Sequence, residues 1–449
     1  MLASFMKRPR EDFLMGQFPE QPTEEKTKLL PIPPRNLQEK GKALHPLWPL
    51  MGLFLIVSII VASLLHAAKG NIYPPMTPQP FHQSANSDPA KLFHPALKEN
   101  PPYFGKTWSG KYIEENDFCR FIYTVDPALQ TCVNEIFRNY RPPYCVFVAL
   151  EPKTGRLLAL ADYARENPDN PGVWQRATYP AASIFKLVTA AGALEKGVLN
   201  YDSPVSYRGN QYRLGPNKIN QSSKRERQTY FDEALGKSNN VVFARVASQL
   251  LGSQTLRQYC EAFGFNQPIQ FDFPLEISRA WIPEESYELA RCGAGFGEVT
   301  LNPLHAAMIA GAIANRGVMM RPYLIDVVLD QNGERIYQAQ KEVLAQPIHA
   351  RTALDLSRMM LRTVEDGTAS KIFHRYGKNL MRKVTICGKT GSLSGNNPPG
   401  FYDWFIGFAP GDDPQIAFAV MIVNQEHWRI RGAYVAQEAL KIFFREQIN

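Results

Sequence analysis

The most strongly apolar stretch of the chain, Leu47 to Leu65, lies inside a segment from Ala43 to Ala68 that contains no Asp, Glu, Lys or Arg. A bilayer needs about 20 such residues, so residues 43–68 are expected to form one transmembrane helix. Residues 1–42 are polar, carry charges of both signs and have no period that would bury a face, which is the pattern of a disordered tail. Residues 69–118, with Pro74, Pro75, Pro78, Pro80, Pro101 and Pro102, are expected to form an extended spacer. A cleaved leader competes with the membrane span. The long polar n-region and the sequence His66-Ala67-Ala68, which lacks a small first residue, favour retention. Lys28, Arg35, Lys40 and Lys42 precede the span, whereas only Lys69 is basic between Lys69 and Asp88. That bias puts the N-terminus in the cytoplasm and the remainder across the membrane.

Past residue 118 the apolar runs shorten and strand and helix signals alternate. Cys145 to Leu150 and Leu157 to Ala161 predict a hairpin about the Pro152-Lys-Thr-Gly155 turn. An apolar helix is predicted from Ser183 to about Leu194, and a second one, with Asn302 as cap and Pro303 as its first residue, runs to Ala314. Tyr230 to Lys237, Thr352 to Thr363 and Gly432 to Phe444 also read as helices. Leu324 to Leu329, Val384 to Gly388, Trp404 to Phe408 and Ile416 to Val423 read as strands, with Lys389 closing the second. Strands at both ends and helices between them imply an α+β fold, an antiparallel sheet flanked by helices, in a domain spanning 119–449.

Composition changes this picture little. A 45% hydrophobic, 20% charged chain is ordinary globular material, and its net charge of +8 is spread without a basic run interleaved with aromatics. No nucleic-acid partner is implied; an anionic envelope polymer or membrane surface fits as well. The six cysteines, Cys119, Cys132, Cys145, Cys260, Cys292 and Cys387, all follow the apolar segment. In an oxidising envelope compartment they permit up to three disulfides, with buried free thiols as the alternative. No ligand spacing suggests a metal site, and no cofactor is called for.

Candidate chemistry centres on Ser183-Ile-Phe-Lys186. Residues three apart on a helix share a face, so the hydroxyl and the amine can touch. Behind Pro180 the serine falls in the first turn, where unpaired N–H groups would stabilise a developing oxyanion. The apolar Ile184, Phe185, Leu187 and Val188 could keep the lysine dry enough to act as a base. Two further motifs follow in order, Ser238-Asn239-Asn240 after a helix and Lys389-Thr390-Gly391-Ser392 at a strand. Taken singly, these are a capping loop and a strand entering a turn.

Together the three motifs are the signature of penicillin-binding proteins and serine β-lactamases. From Tyr123-Thr-Val-Asp-Pro-Ala-Leu-Gln130 to the C-terminus the chain resembles the penicillin-binding transpeptidase domain. Val148 to Ala161, Phe296 to Leu304, Asp366-Gly-Thr-Ala369 and Asp403 to Pro410 match further family landmarks. The chain departs from the family between the span and residue 118, where neither a pedestal nor a glycosyltransferase domain fits, and at Ser392, where threonine is common.

The resemblance implies a peptidoglycan D,D-transpeptidase of the cell inner membrane with a periplasmic catalytic domain. Its ligands would be stem peptides and β-lactams, and its partner a membrane glycosyltransferase. It implies Ser183 as nucleophile, Lys186 as base, Ser238 as proton relay, and Asn240 holding Lys186 and the substrate amide. Lys389 would keep Lys186 neutral and, with Thr390, receive the substrate carboxylate beside Gly391. The N–H groups of Ser183 and Ser392 would form the oxyanion hole. A D,D-carboxypeptidase, a non-turnover β-lactam receptor and a β-lactamase-like protein remain alternatives. The last draws on Glu298-Val-Thr-Leu-Asn302, which matches Glu-x-x-Leu-Asn, although Asn302 already has a capping role to fill.

Overall fold

The computed structural model describes residues 104–168, 171–219, 226–425 and 427–448. The tail, the apolar segment 43–68 and most of the spacer lie outside these. Among the described residues no helix is long and apolar enough to cross a membrane.

In chain order the strands are β1 Lys106–Trp108, β2 Lys111–Glu115, β3 Cys119–Tyr123, β4 Tyr144–Leu150, β5 Leu157–Ala164, β6 Pro204–Tyr207 and β7 Arg227–Tyr230. They continue as β8 Met319–Met320, β9 Ile325–Asp330, β10 Arg335–Gln338, β11 Val343–Ala345, β12 Cys387–Asn396, β13 Pro399–Ala409 and β14 Ile416–Asn424. The helices used below are α1 Pro127–Tyr140, α2 Lys186–Glu195, α3 Phe231–Gly236, α4 Asn240–Arg245, α5 Ser286–Gly293, α6 Pro303–Ala314, α7 Ala350–Glu365 and α8 Gly432–Phe443.

The main sheet has the order β12-β13-β14-β4-β5, antiparallel throughout. Its strands read as near-continuous apolar runs because both faces are covered; β14 is buried at every position. The strand period of two then deals alternate residues to two cores. Val146, Val148, Leu150, Trp404, Ile406, Ala419 and Met421 join α2 and α6 on one face. Cys145, Phe147, Ala149, Phe405, Phe418, Val420 and Ile422 join α1 and α8 on the other. The expected α+β architecture is therefore present.

Several boundaries differ from expectation. Strand β12 does not stop at Lys389: it begins at Cys387, runs through the whole Lys389–Ser392 motif and continues to Asn396. Ten consecutive register pairs with β13, from Cys387↔Phe408 to Asn396↔Pro399, hold the added length. The C-terminal end of the expected spacer is also folded, for β1 and β2 pair with β3 in a second sheet, β1-β2-β3-β9-β10. The prolines that suggested a spacer all precede this segment. The permitted disulfides are absent, since all six thiols are free and buried. Burial pushes Cys132, Cys292 and Cys387 up to about 12, which leaves little thiolate to react.

Asn302 caps α6 as expected and does more. Its Oδ1 accepts from the N–H groups of Leu304 and His305, and its Nδ2 donates to the carbonyls of Trp174, Gln175 and Arg176. The side chain is fully buried and ties the segment before the nucleophile to the helix behind it. Asn302→Ala is expected to cost roughly 2–4 kcal/mol, the cap plus the carbonyls left unpaired, measured by urea unfolding. Asn302→Asp keeps a capping oxygen but turns a carboxylate on those carbonyls, and is expected to cost at least as much.

Candidate active site

Ser183 sits in a 3-10 turn, Ala182–Phe185, that runs directly into α2. Pro180 is not the helix entrance: it lies in a bridge opposite Thr300, with Trp404 Nε1 donating to its carbonyl at 3.0 Å. The preceding residues are pinned by Ala181 N–H to Val299 O at 2.9 Å and Leu301 N–H to Tyr179 O at 2.8 Å. At the start of the turn, Ala182 adopts φ 49°, a left-handed conformation costly for a residue with a Cβ. Gly295 fits against that kink; a Cβ there would stand 2.3 Å from Ala182 O and 3.0 Å from Ser183 N.

Lys186 is the first residue of α2 and is fully buried. Its Nζ lies 2.7 Å from Ser183 Oγ, 2.8 Å from Asn240 Oδ1 and 2.6 Å from Ala294 O. Two of these partners, an amide oxygen and a backbone carbonyl, can only accept. A neutral amine has two N–H groups for them and one lone pair, which then points at the one partner able to donate, the Ser183 hydroxyl. Burial pushes the Lys186 pKa well below the ordinary lysine range, and the nearby Lys389 amine adds to this. Both causes expected from the sequence, a dry apolar setting and the Lys389 charge, act in that direction, and desolvation is the larger. Ala294 O was not foreseen, since a backbone acceptor leaves no mark in side-chain identity. Thr189 Oγ1, donating to Gly293 O at 2.9 Å, holds that carbonyl's chain in place.

Ser238 lies in the gap between α3 and α4, and Asn240 is the first residue of α4. Asn239 caps α4 by accepting from Val241 and Val242 N–H, while Ser238 takes the left-handed conformation at φ 54°. Asn240 Nδ2 donates to Tyr212 O at 2.8 Å, so one amide hydrogen is anchored and the other is left for a ligand. Across the cleft, Lys389 Nζ donates to Ser238 Oγ at 3.0 Å and to Thr390 O at 2.8 Å. Lys389 is also fully buried, and desolvation lowers its pKa to about 7. Two buried amines therefore face one site, and they resist being charged together.

Strand β12 is the edge of the main sheet, so alternate peptide groups have no strand to pair with. Thr390 O takes the Lys389 amine, which marks it as one of these. By the alternation of an antiparallel edge strand, the N–H of Ser392, two residues on, lies on the same unpaired side. Gly391 lies between them, where a Cβ would come within 3.1 Å of Ile184 Cγ1. Thr390 Oγ1 also pairs with Thr368 Oγ1, from the 366–369 landmark, a contact the sequence reading did not name. Ser183, Lys186, Ser238, Asn240, Lys389 and Thr390 are thus linked in two hydrogen-bonded groups, close enough for the charge of Lys389 to act on Lys186. Glu298 is exposed and Asn302 is spent as a cap and tie, so that string forms no part of the linked groups. Among the described residues no cluster of His, Cys, Asp or Glu is placed to hold a metal ion.

Residues 145–446 match the family model described as the penicillin binding protein transpeptidase domain. Among curated relatives, the peptidoglycan D,D-transpeptidase PbpA of Mycobacterium tuberculosis is 29% identical over 342 residues, 67% of this chain and 66% of that protein. Penicillin-binding protein 3 of Bacillus subtilis is 25% identical over 329 residues, 66% of this chain and 47% of that one. The chain thus spans just under two thirds of the first of these and about half of the second. Among solved structures, the D,D-transpeptidase domain of a peptidoglycan glycosyltransferase from Eggerthella lenta superposes with a TM-score of 0.61 at 26% identity, covering 82% of this chain and 89% of that one. The ceftriaxone acyl-enzyme of penicillin-binding protein A from M. tuberculosis gives 0.57 at 25% identity, covering 71% and 79%.

Gly295→Ala is expected to displace the turn that carries Ser183. Acylation by a fluorescent penicillin should slow by about a hundredfold, with the far-UV circular dichroism spectrum unchanged, as befits a small misplacement of a reacting atom.

Proposed function

The chain belongs to the penicillin-binding protein transpeptidase family, and from that premise we propose that it is a peptidoglycan D,D-transpeptidase acting through an acyl-enzyme on Ser183. The observation that carries this reading is the 2.7 Å approach of the buried Lys186 amine to the Ser183 hydroxyl. Lys186 takes the hydroxyl proton as Ser183 Oγ bonds to the carbonyl carbon between two terminal D-alanines of a stem peptide. The oxyanion lies between the N–H groups of Ser183 and Ser392. Because Lys389 donates to Ser238 Oγ, the Ser238 proton is free to pass to the leaving nitrogen, and Ser238 recovers one from the amines. The C–N bond breaks and D-alanine departs. Asn240 holds Lys186 and the substrate amide, while Lys389, Thr390 and Ser392 receive the terminal carboxylate, with Gly391 allowing the close approach.

An acceptor amine then attacks the ester, gives up a proton and restores the Ser183 hydroxyl, leaving a cross-link. A β-lactam follows the first half, but its leaving nitrogen stays tethered and the ester persists. The relatives' names, PbpA among them, support the reaction. The commitment of Asn302 to the cap and to three carbonyls weighs against a β-lactamase route that would need it for water.

The reading extends to the whole chain: residues 1–42 as a cytoplasmic tail, 43–68 as a single span of the inner membrane, and the catalytic domain in the periplasm beside a membrane glycosyltransferase. The apolar, charge-free run and the basic bias before it support that arrangement.

Incubating the membrane form with a fluorescent penicillin and two labelled stem peptides tests the reading. Slow drug release with a dimeric peptide product is expected. Rapid drug hydrolysis would make it a lactamase, and trimmed monomers alone a carboxypeptidase. The acylation rate constant should trace a bell against pH. It rises as pH climbs through the depressed Lys186 pKa, since the base must be neutral, and falls above about 7 as Lys389 loses the proton that attracts the carboxylate. With saturating ligand the alkaline limb should move upward, because a bound carboxylate favours the Lys389 cation.

A further inference from the structure

Ser392 stands directly opposite Asp403 in the β12–β13 register, so the two side chains share a face at the sheet edge. The Ser392 hydroxyl donates to Asp403 Oδ1 at 3.3 Å, long for a bond to a carboxylate. The other oxygen, Oδ2, accepts the N–H of Gly432, the first residue of α8, at 2.8 Å. Arg431 NH1 approaches Oδ1 at 3.6 Å, and its guanidinium lies 3.8 Å from the Trp428 ring centroid. Asp403 is buried, whereas Ser392 is exposed.

A serine hydroxyl has one proton. While it is given to Asp403, only lone pairs face an arriving carboxylate, and a negative charge stands one strand behind them. Asp403 does not depend on Ser392, since the helix N–H and Arg431 still satisfy it when the hydroxyl turns away. The geometry points to Asp403 and Arg431 as an opposed pair that sets the affinity of the site for a ligand carboxylate: Asp403 competes with the ligand for the Ser392 proton, and Arg431 offsets its charge. This inference rests on the docking of the carboxylate at Lys389, Thr390 and Ser392 proposed above.

An alternative in which Asp403 merely caps α8 and Arg431 merely pins a loop predicts the same sign for both substitutions, a loss. The competition predicts opposite signs. Asp403→Asn keeps an oxygen for the Gly432 N–H and frees the Ser392 proton; it should raise the rate constant for acylation by benzylpenicillin on the order of fivefold, through tighter initial binding. Arg431→Gln should lower it by a similar factor, again in binding and not in the limiting rate. With the methyl ester of benzylpenicillin, which has no carboxylate charge, both changes should shrink towards unity.

The measurement is stopped-flow acylation of the full chain, with peptide mass spectrometry to place the adduct. An adduct on Ser183 with losses in both variants, or with effects that persist on the ester, would overturn the inference alone. No adduct on Ser183 in the unmodified protein would overturn the site reading and this inference with it. Arg431→Gln alters a side chain that is half exposed, so the acid-to-ester ratio remains decisive even if Asp403→Asn fails to fold.

Discussion

The site depends on keeping a lysine amine out of water beside a hydroxyl. Lys186 and Lys389 are both fully buried, and burial is the main cause of the depressed pKa of each. An amine that cannot afford its charge becomes a base, but only if its remaining hydrogens are satisfied. Asn240 and Ala294 do that for Lys186 and so aim its lone pair at Ser183. Much of the surrounding architecture serves this dryness: α6 packs on one face of the main sheet with α2 in the same core, and the Ser238 loop and strand β12 enclose the amines.

That closeness is obtained with strained backbone. Ala182 and Ser238, both without the freedom of glycine, hold left-handed conformations, and both adjoin the reacting groups. Each costs on the order of 1–3 kcal/mol, tolerable only where the surroundings over-determine it. At Ala182 the over-determination is visible as the bridge through Pro180, the Trp404 hydrogen bond and the seat of Gly295. At Ser238 it comes from Leu235 O and from the Asn239 cap, which fixes where α4 must start. A sheet covered on both faces is rigid enough to sustain such positions.

The edge strand contributes in another way. A central strand would spend all its peptide groups on neighbours, whereas β12 leaves alternate ones unpaired by any strand, and one of these, Thr390 O, takes the Lys389 amine. Its second neighbour is the cleft itself. Extending the strand through Lys389–Ser392, instead of ending it at Lys389, presents the motif's backbone in a straight, fixed row. The same register brings Asp403 up to Ser392, so the anion-binding edge and the start of α8 are mechanically one unit.

The sequence by itself determined what local pattern and side-chain chemistry can encode. The spacing of Ser183 and Lys186, the cap and proline at Asn302 and Pro303, the hairpin about Gly155 and the order of the three motifs were legible because each is written within a few residues. Only the tertiary structure decided the rest. Ala294 contributes a carbonyl, which every residue possesses; Asp403 and Thr368 matter because strands and loops distant in sequence meet there. The six thiols stay unpaired because packing, not their even number, sets where each one points. Segment 106–115 folds as strands because β3, already paired with β9 on its other side, offers it an edge to join. Desolvation, the main cause of both lysine shifts, is a sum over elements from the whole domain, and no short window of sequence contains that sum.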